Sequence, residues 1–122
     1  HNIIRYIGPV KHQDLAIYYN LANLFVLLTH PDQEAEEDWG TVFVEAQAAS
    51  LPVLAGQVGG IEETVKNLKT GLVVDINNTE QVVNSLVDML NKKDFAAKMG
   101  LAGQKWVKNN LNWDTEIKKL YE

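Results

Sequence analysis

Apolar positions along this chain follow two rhythms. Short runs rich in β-branched and aromatic residues occur at Ile3 to Ile7, Leu24 to Leu28, Val53 to Ala55 and Leu72 to Val74, with the length and composition of buried strands. The segments between them place apolar residues at helical spacing. In Gln13 to Ala22 the recurring positions are Leu15, Tyr18, Tyr19 and Ala22, behind the turn Gly8-Pro9. A second helix beginning near Trp39 or Gly40 presents Phe43, Ala46 and Ala49 to a sheet until Pro52 stops it. A shorter helix is predicted over Ile61 to Asn67, and Gly71 marks the entry to the fourth run. Strands alternating with helices predict an α/β fold with a parallel sheet and crossover helices.

After Asp75 the pattern becomes helical throughout. Asn78 or Thr79 caps a helix running to about Leu90, with Val82, Val83, Leu86 and Leu90 as its buried stripe. A further helix is predicted from about Asp94 to Asn109, and another opened by Asn112 or Asp114. No repeat, low-complexity tract or linker divides the chain, so residues 1–122 read as one domain.

Composition narrows the function classes. A net charge of −5 lacks the basic patch that nucleic acid or an anionic membrane surface requires. With no cysteine there is neither a disulfide framework nor a thiolate metal site, and a cytoplasmic location is the simplest expectation. No apolar stretch approaches the roughly 20 residues of a membrane-spanning helix.

The chemistry concentrates in Glu37-Asp38-Trp39-Gly40-Thr41-Val42-Phe43-Val44-Glu45. Two carboxylates bracket an aromatic-Gly turn leading into a helix. A carboxylate accepts paired hydrogen bonds from sugar hydroxyls, and the free N–H groups of a helix start attract phosphate. Glu45 sits inside an apolar run, where an ionised carboxylate needs a partner. The cluster Asp32, Glu34, Glu36, Glu37 and Asp38 lacks a calcium-loop spacing and reads as a solvated loop, so no metal site is expected. Gly8-Pro9-Val10-Lys11 follows a strand end, where open α/β sheets place ligands. Gly56, Gly59 and Gly60 do not form a dinucleotide fingerprint, and Gly59-Gly60 fits either a tight turn or a close ligand approach. His12 and His30 read as surface loop residues, and Trp106, Trp113 and Tyr121 as packing residues of the tail helices.

In order along the chain, Asn2 to Gly8, Tyr18 to Leu27, Glu37 to Glu45, Leu51 to Ala55, Val58 to Glu63 and Thr70 to Asp75 resemble the donor-binding half of retaining GT-B glycosyltransferases of the sucrose-synthase-like and mannosyltransferase-like group. The resemblance implies a Rossmann-like parallel sheet, the C-terminal half of a GT-B fold. It implies that Glu37 acts at the reacting carbon of the donor sugar and that Trp39, Gly40, Thr41 and Val42 meet the sugar and diphosphate through backbone amides. It implies that Glu45 takes the nucleotide's ribose hydroxyls, with Gly8 and Val10 beside the base. No resident cofactor is implied, the donor substrate being a nucleotide-diphosphate sugar. The partners it implies are that donor, an acceptor hydroxyl and the N-terminal acceptor domain of the same enzyme, with neither nucleic acid nor membrane contact from this segment.

Three departures from that pattern stand out. Asp38-Trp39-Gly40 replaces the usual Gly-Phe-Gly, setting a charged side chain near the diphosphate. Ser50 stands where the family ends its helix with Gly, a position that wants a left-handed backbone. The family's first two strands and basic element are not within the sequence, so it is expected to be a fragment that is inert by itself, truncated at its N-terminus. The competing readings are a non-catalytic nucleotide-sugar or partner-binding module, and a nucleotide-sugar epimerase on the same scaffold. The epimerase would need acid/base groups, especially histidine, in the cleft.

Overall fold

A computed structural model of the chain describes residues 4–28 and 36–110, with residues 36–40 described by backbone alone. A 3-10 turn at His12–Asp14 leads into α1 (Leu15–Leu21), followed by β1 (Phe25–Leu27), α2 (Glu36–Ala48) and β2 (Val53–Gly56). A second 3-10 turn at Ile61–Glu63 precedes β3 (Gly71–Val74), α3 (Thr79–Asn91) and α4 (Lys93–Asn110). The strands form a parallel sheet in the order β1-β2-β3, with Phe25 opposite Val53 and Leu54 opposite Leu72.

β2 is buried along its whole length because both faces of the sheet are covered. Val53 and Ala55 pack with Ala16 and Tyr19 of α1 and Phe43 and Ala46 of α2. Leu54 points the other way, into a cluster with Leu72, Val74, Met89 of α3 and Met99 of α4. A third cluster, Val44, Ala48 and Val107 with Trp106 against it, joins the outer side of α2 to α4.

The end of α2 fixes how the chain enters β2. Ser50 has φ 65°, the left-handed backbone predicted for it. The Ser50 N–H donates to the Gln47 carbonyl at 2.9 Å and the Leu51 N–H to the Ala46 carbonyl at 3.0 Å, the paired bonds of a Schellman end. Pro52 follows, and its carbonyl accepts from the Phe25 N–H at 3.0 Å, which starts the pairing with β1. At the start of α3, Asn78 caps the helix as predicted, its side chain accepting from the Gln81 N–H.

Several expectations need correction. Residues 4–10 form no strand, and Ile4, Tyr6 and Ile7 are 80%, 90% and 55% exposed. A ladder needs a neighbour's N–H and C=O groups, and residues 4–7 have none among the described strands. The helix predicted over Ile61 to Asn67 is only the turn Ile61–Glu63. The Thr70 side chain accepts the Lys66 N–H at 2.8 Å and the Asn67 side chain accepts the Val73 N–H at 2.9 Å, so local side chains capture the backbone there. On α1 the buried residues are Ala16 and Tyr19, with Tyr18 41% exposed. On α3 Met89 is buried and Val82 and Leu86 half-buried, while Val83 and Leu90 face solvent. The helix expected from Asn112 or Asp114, with Trp113 and Tyr121, lies outside the described residues.

Candidate functional site

The carboxyl ends of parallel strands are where α/β sheets bind ligands, and α2 is the helix that follows β1. It starts at Glu36, ahead of the predicted start at Trp39 or Gly40. Glu37 and Trp39 therefore lie in its first turn and Gly40 opens its second, all three described by backbone alone, and Thr41 and Val42, both half-buried, follow. That boundary changes the basis for a phosphate seat. The N–H groups without an intrahelical acceptor belong to the first residues, Glu36, Glu37 and Asp38 among them, while the Gly40, Thr41 and Val42 amides fall inside the helix. The remaining acidic cluster, Asp32 and Glu34, lies outside the described residues, as does His30.

Further along α2, Glu45 is only 3% exposed, so it does not simply face water. The Tyr19 hydroxyl of α1 donates to Glu45 Oε2 at 3.1 Å. Tyr19 is itself buried, and its ring lies 5.9 Å from that of Phe25, tilted by 57°. Phe25 meets Phe43 of α2 edge-on at 5.6 Å and 86°. An aromatic relay thus runs from α1 across β1 to α2 and holds the phenol beside the carboxylate. Burial first, then the Glu45 charge and the hydrogen bond to it, push the Tyr19 phenol well above its ordinary pKa. Tyr19 stays a neutral donor to the carboxylate.

Gly8 has φ 83°, a left-handed turn that glycine adopts without strain, and it leads to half-buried Val10. Val10 lines an open groove of about 500 Å³ with Ile7, Pro9, Lys11, Ile17 and Tyr18. The turn and Glu45 are thereby linked through α1: the turn enters this helix, and Tyr19 on it reaches Glu45. Sequence reading placed Tyr19 on the buried side of α1 but not against Glu45. A buried phenol needs an acceptor and a buried carboxylate needs a donor, which was the signal available.

Trp106 and Gln47 take part in packing, while Gly59, Gly60 and His12 do not. Gly60 has φ 83°, which fits a tight turn, and a Cβ at Gly59 or Gly60 would meet nothing within 4 Å. Trp106 is half-buried against Val107, Val44 and Ala48, with Lys66 Nζ 5.1 Å from its ring centroid. Gln47, fully buried on α2, donates through Nε2 to the Phe43 and Thr64 carbonyls at 3.2 and 2.9 Å and ties the helix to the turn beyond β2. His12 is exposed. Among the described residues no group of His, Asp and Glu side chains is arranged to hold a metal ion, and no helix is long and apolar enough to cross a membrane.

The parallel sheet, its two helical layers and the helix leaving β1 define one Rossmann-like half of a GT-B fold. The chain matches sucrose-phosphate synthase from Thermosynechococcus elongatus with a TM-score of 0.77 and 28% identity, over 98% of this chain and 30% of that one. Residues 1–106 match the family of glycosyl transferases group 1, and the chain belongs to it. Over 119 residues it is 39% identical to a GDP-mannose-dependent alpha-(1-6)-phosphatidylinositol monomannoside mannosyltransferase of Mycobacterium tuberculosis, covering 96% of this chain and 31% of that protein. It is 32% identical over 114 residues to a D-inositol 3-phosphate glycosyltransferase of Streptomyces scabiei, covering 93% of this chain and 24% of the relative. The chain thus spans less than a third of each of these relatives.

Proposed function

We propose that this chain is the donor-binding part of a retaining glycosyltransferase, which transfers a glycosyl unit from a nucleotide-diphosphate sugar to an acceptor hydroxyl with its anomeric configuration kept. The observation that carries the reading is the buried carboxylate of Glu45 on α2, the helix that follows β1, held by the Tyr19 phenol of α1. A carboxylate offers the acceptor sites for hydrogen bonds from the two hydroxyls of a ribose.

In this reading Glu37, with Trp39 and Gly40, faces the donor sugar and supports positive charge developing at the reacting carbon. The amino end of α2, with the Thr41 hydroxyl and Val42 behind it, faces the diphosphate and stabilises the charge gathering on the leaving group. Gly8 and Val10 lie beside the base. The work is positional and electrostatic, needs no resident cofactor, and is completed by an acceptor domain of the same enzyme. A nucleotide-sugar donor fits a cytoplasmic reaction, at the inner face of the membrane if the acceptor domain docks there, and the dependence of the M. tuberculosis relative on GDP-mannose makes that donor the first to try.

Titration calorimetry of the full-length parent with UDP, GDP, ADP and their sugar conjugates tests the reading. One nucleotide family is expected to bind selectively, with Glu45→Ala weakening that binding strongly but leaving it measurable and Glu37→Gln lowering turnover far more than affinity. Absence of binding at millimolar ligand would overturn it in favour of a module that has lost its donor.

A further inference from the structure

We infer that Tyr19 is a positioning residue for the donor nucleotide, its phenol holding the Glu45 carboxylate in the orientation that accepts the ribose hydroxyls. The inference rests on the reading of Glu45 given above and adds a residue to it. Tyr19 Oη and Glu45 Oε2 are 3.1 Å apart, and both residues are almost wholly buried, at 8% and 3% exposure. The partners stand 26 residues apart on different helices, so their meeting depends on the tertiary fold rather than on local chain geometry.

The phenol has little freedom to leave. Its ring is set against Phe25, which is in turn set edge-on against Phe43, one turn or less from Glu45 on the same helix. Donor and acceptor are therefore fixed by one set of ring contacts, and a shift of α1 relative to α2 would break packing and hydrogen bond together. Rigid support of this kind gives a binding group its orientation before the ligand arrives.

The choice of a phenol also matters chemically. A neutral O–H donor orients the carboxylate without bringing a charge of its own to it. A vicinal diol supplies two such donors and a 2′-deoxyribose only one, so the support given by Tyr19 should be felt most by ribonucleotides. α1 is also entered from the Gly8-Pro9-Val10 turn, which makes Tyr19 the link between the elements proposed to hold base and ribose.

The test compares the full-length parent with Tyr19→Phe, Glu45→Ala and the double variant, each titrated with UDP, GDP and ADP and the matching 2′-deoxynucleotides. Tyr19→Phe keeps the ring that packs on Phe25. It is expected to weaken the preferred ribonucleotide about tenfold, the scale of one hydrogen bond to a charged group, and its 2′-deoxy counterpart by less. With Glu45→Ala already present it is expected to change nothing further, and donor KM should rise while kcat stays near wild type. Equal binding by wild type and Tyr19→Phe would overturn the inference while leaving the role of Glu45 intact. So would an equal loss with both sugars that persists beside Glu45→Ala, the mark of a merely structural phenol. If wild type binds none of the nucleotides, the donor-site reading fails and this inference with it. Should Tyr19→Phe not fold, 3-fluorotyrosine at the same position keeps ring and donor. It is expected to hold or raise the preference for ribonucleotide over 2′-deoxynucleotide, and a fall in that preference would overturn the inference.

Discussion

Gly100, inside α4, rests directly on the carbonyl oxygen of Ser50, the left-handed residue that closes α2. A Cβ at Gly100 would fall inside contact distance of that oxygen and would also meet Pro52 Cδ at 3.4 Å. The neighbour is backbone held by two helix-end hydrogen bonds, so it has little room to yield. Gly100→Ala should therefore destabilise the protein by about 1–3 kcal/mol, overcoming the ~1 kcal/mol that alanine contributes inside a helix. A lowered midpoint in urea denaturation is the expected result, and an unchanged or raised midpoint would show that α4 can move outward freely.

Ser50 itself offers the opposite experiment. Its φ of 65° is strained for a residue with a Cβ and ordinary for glycine. Ser50→Gly should stabilise by about 0.5–1 kcal/mol, the relief of strain exceeding the added chain entropy of the unfolded state. Differential scanning calorimetry would read this as a rise in melting temperature.

The cap of α3 is the third site. Asn78 Oδ1 accepts from the Gln81 N–H at 3.0 Å, and the Gln81 side chain reaches back to the Asp75 N–H at 2.8 Å. Both bonds are exposed to water, so their loss should be modest. Asn78→Ala is expected to cost about 1 kcal/mol, with Gln81→Ala costing less, as measured by equilibrium unfolding.

Alkaline stability tests the Tyr19 environment without any ligand. Burial and Glu45 raise the phenol's folded pKa, so the native state keeps its proton where the unfolded chain, titrating near pH 10, has lost it. The stabilisation is complete below about pH 10 and is lost as pH rises through the folded value. Tyr19→Phe should remove this contribution and flatten the fall in unfolding free energy above pH 10. The same slope in both proteins would argue that Tyr19 is not shielded.

Much of the architecture was legible in the residues. The apolar runs around Val53 and Leu72, the helix stop before Pro52, the Asn78 cap and the left-handed Ser50 each depend on local chemistry that a short window contains. Ile3 to Ile7 misled because β-branched composition states a preference, while a ladder requires a neighbour. Ile61 to Asn67 misled because Asn67 and Thr70 offer the backbone hydrogen bonds that compete with a helix. On α3, choosing Val83 and Leu90 over Met89 was an error of helical phase, which only packing against β3 and α4 resolves. Within the site, the need of Glu45 for a partner could be read, but its partner's identity could not. Nothing in a linear window links it to Tyr19. The role of Glu37 depends on a side chain that lies outside what the structure describes.

The unequal faces of β2 make its alignment self-correcting. A slip of one residue against β1 and β3 would turn Leu54 toward Phe43 and Ala46, where the small side chain of Ala55 belongs, and would leave Ala55 among Met89 and Met99. One side would be overfilled and the other left with a void, each error costing on the order of a few kcal/mol. The wrong register is thus penalised twice for a single displacement. The level at which the strands end, and with it the height at which α2 begins beside them, is set by side chains that never approach a ligand.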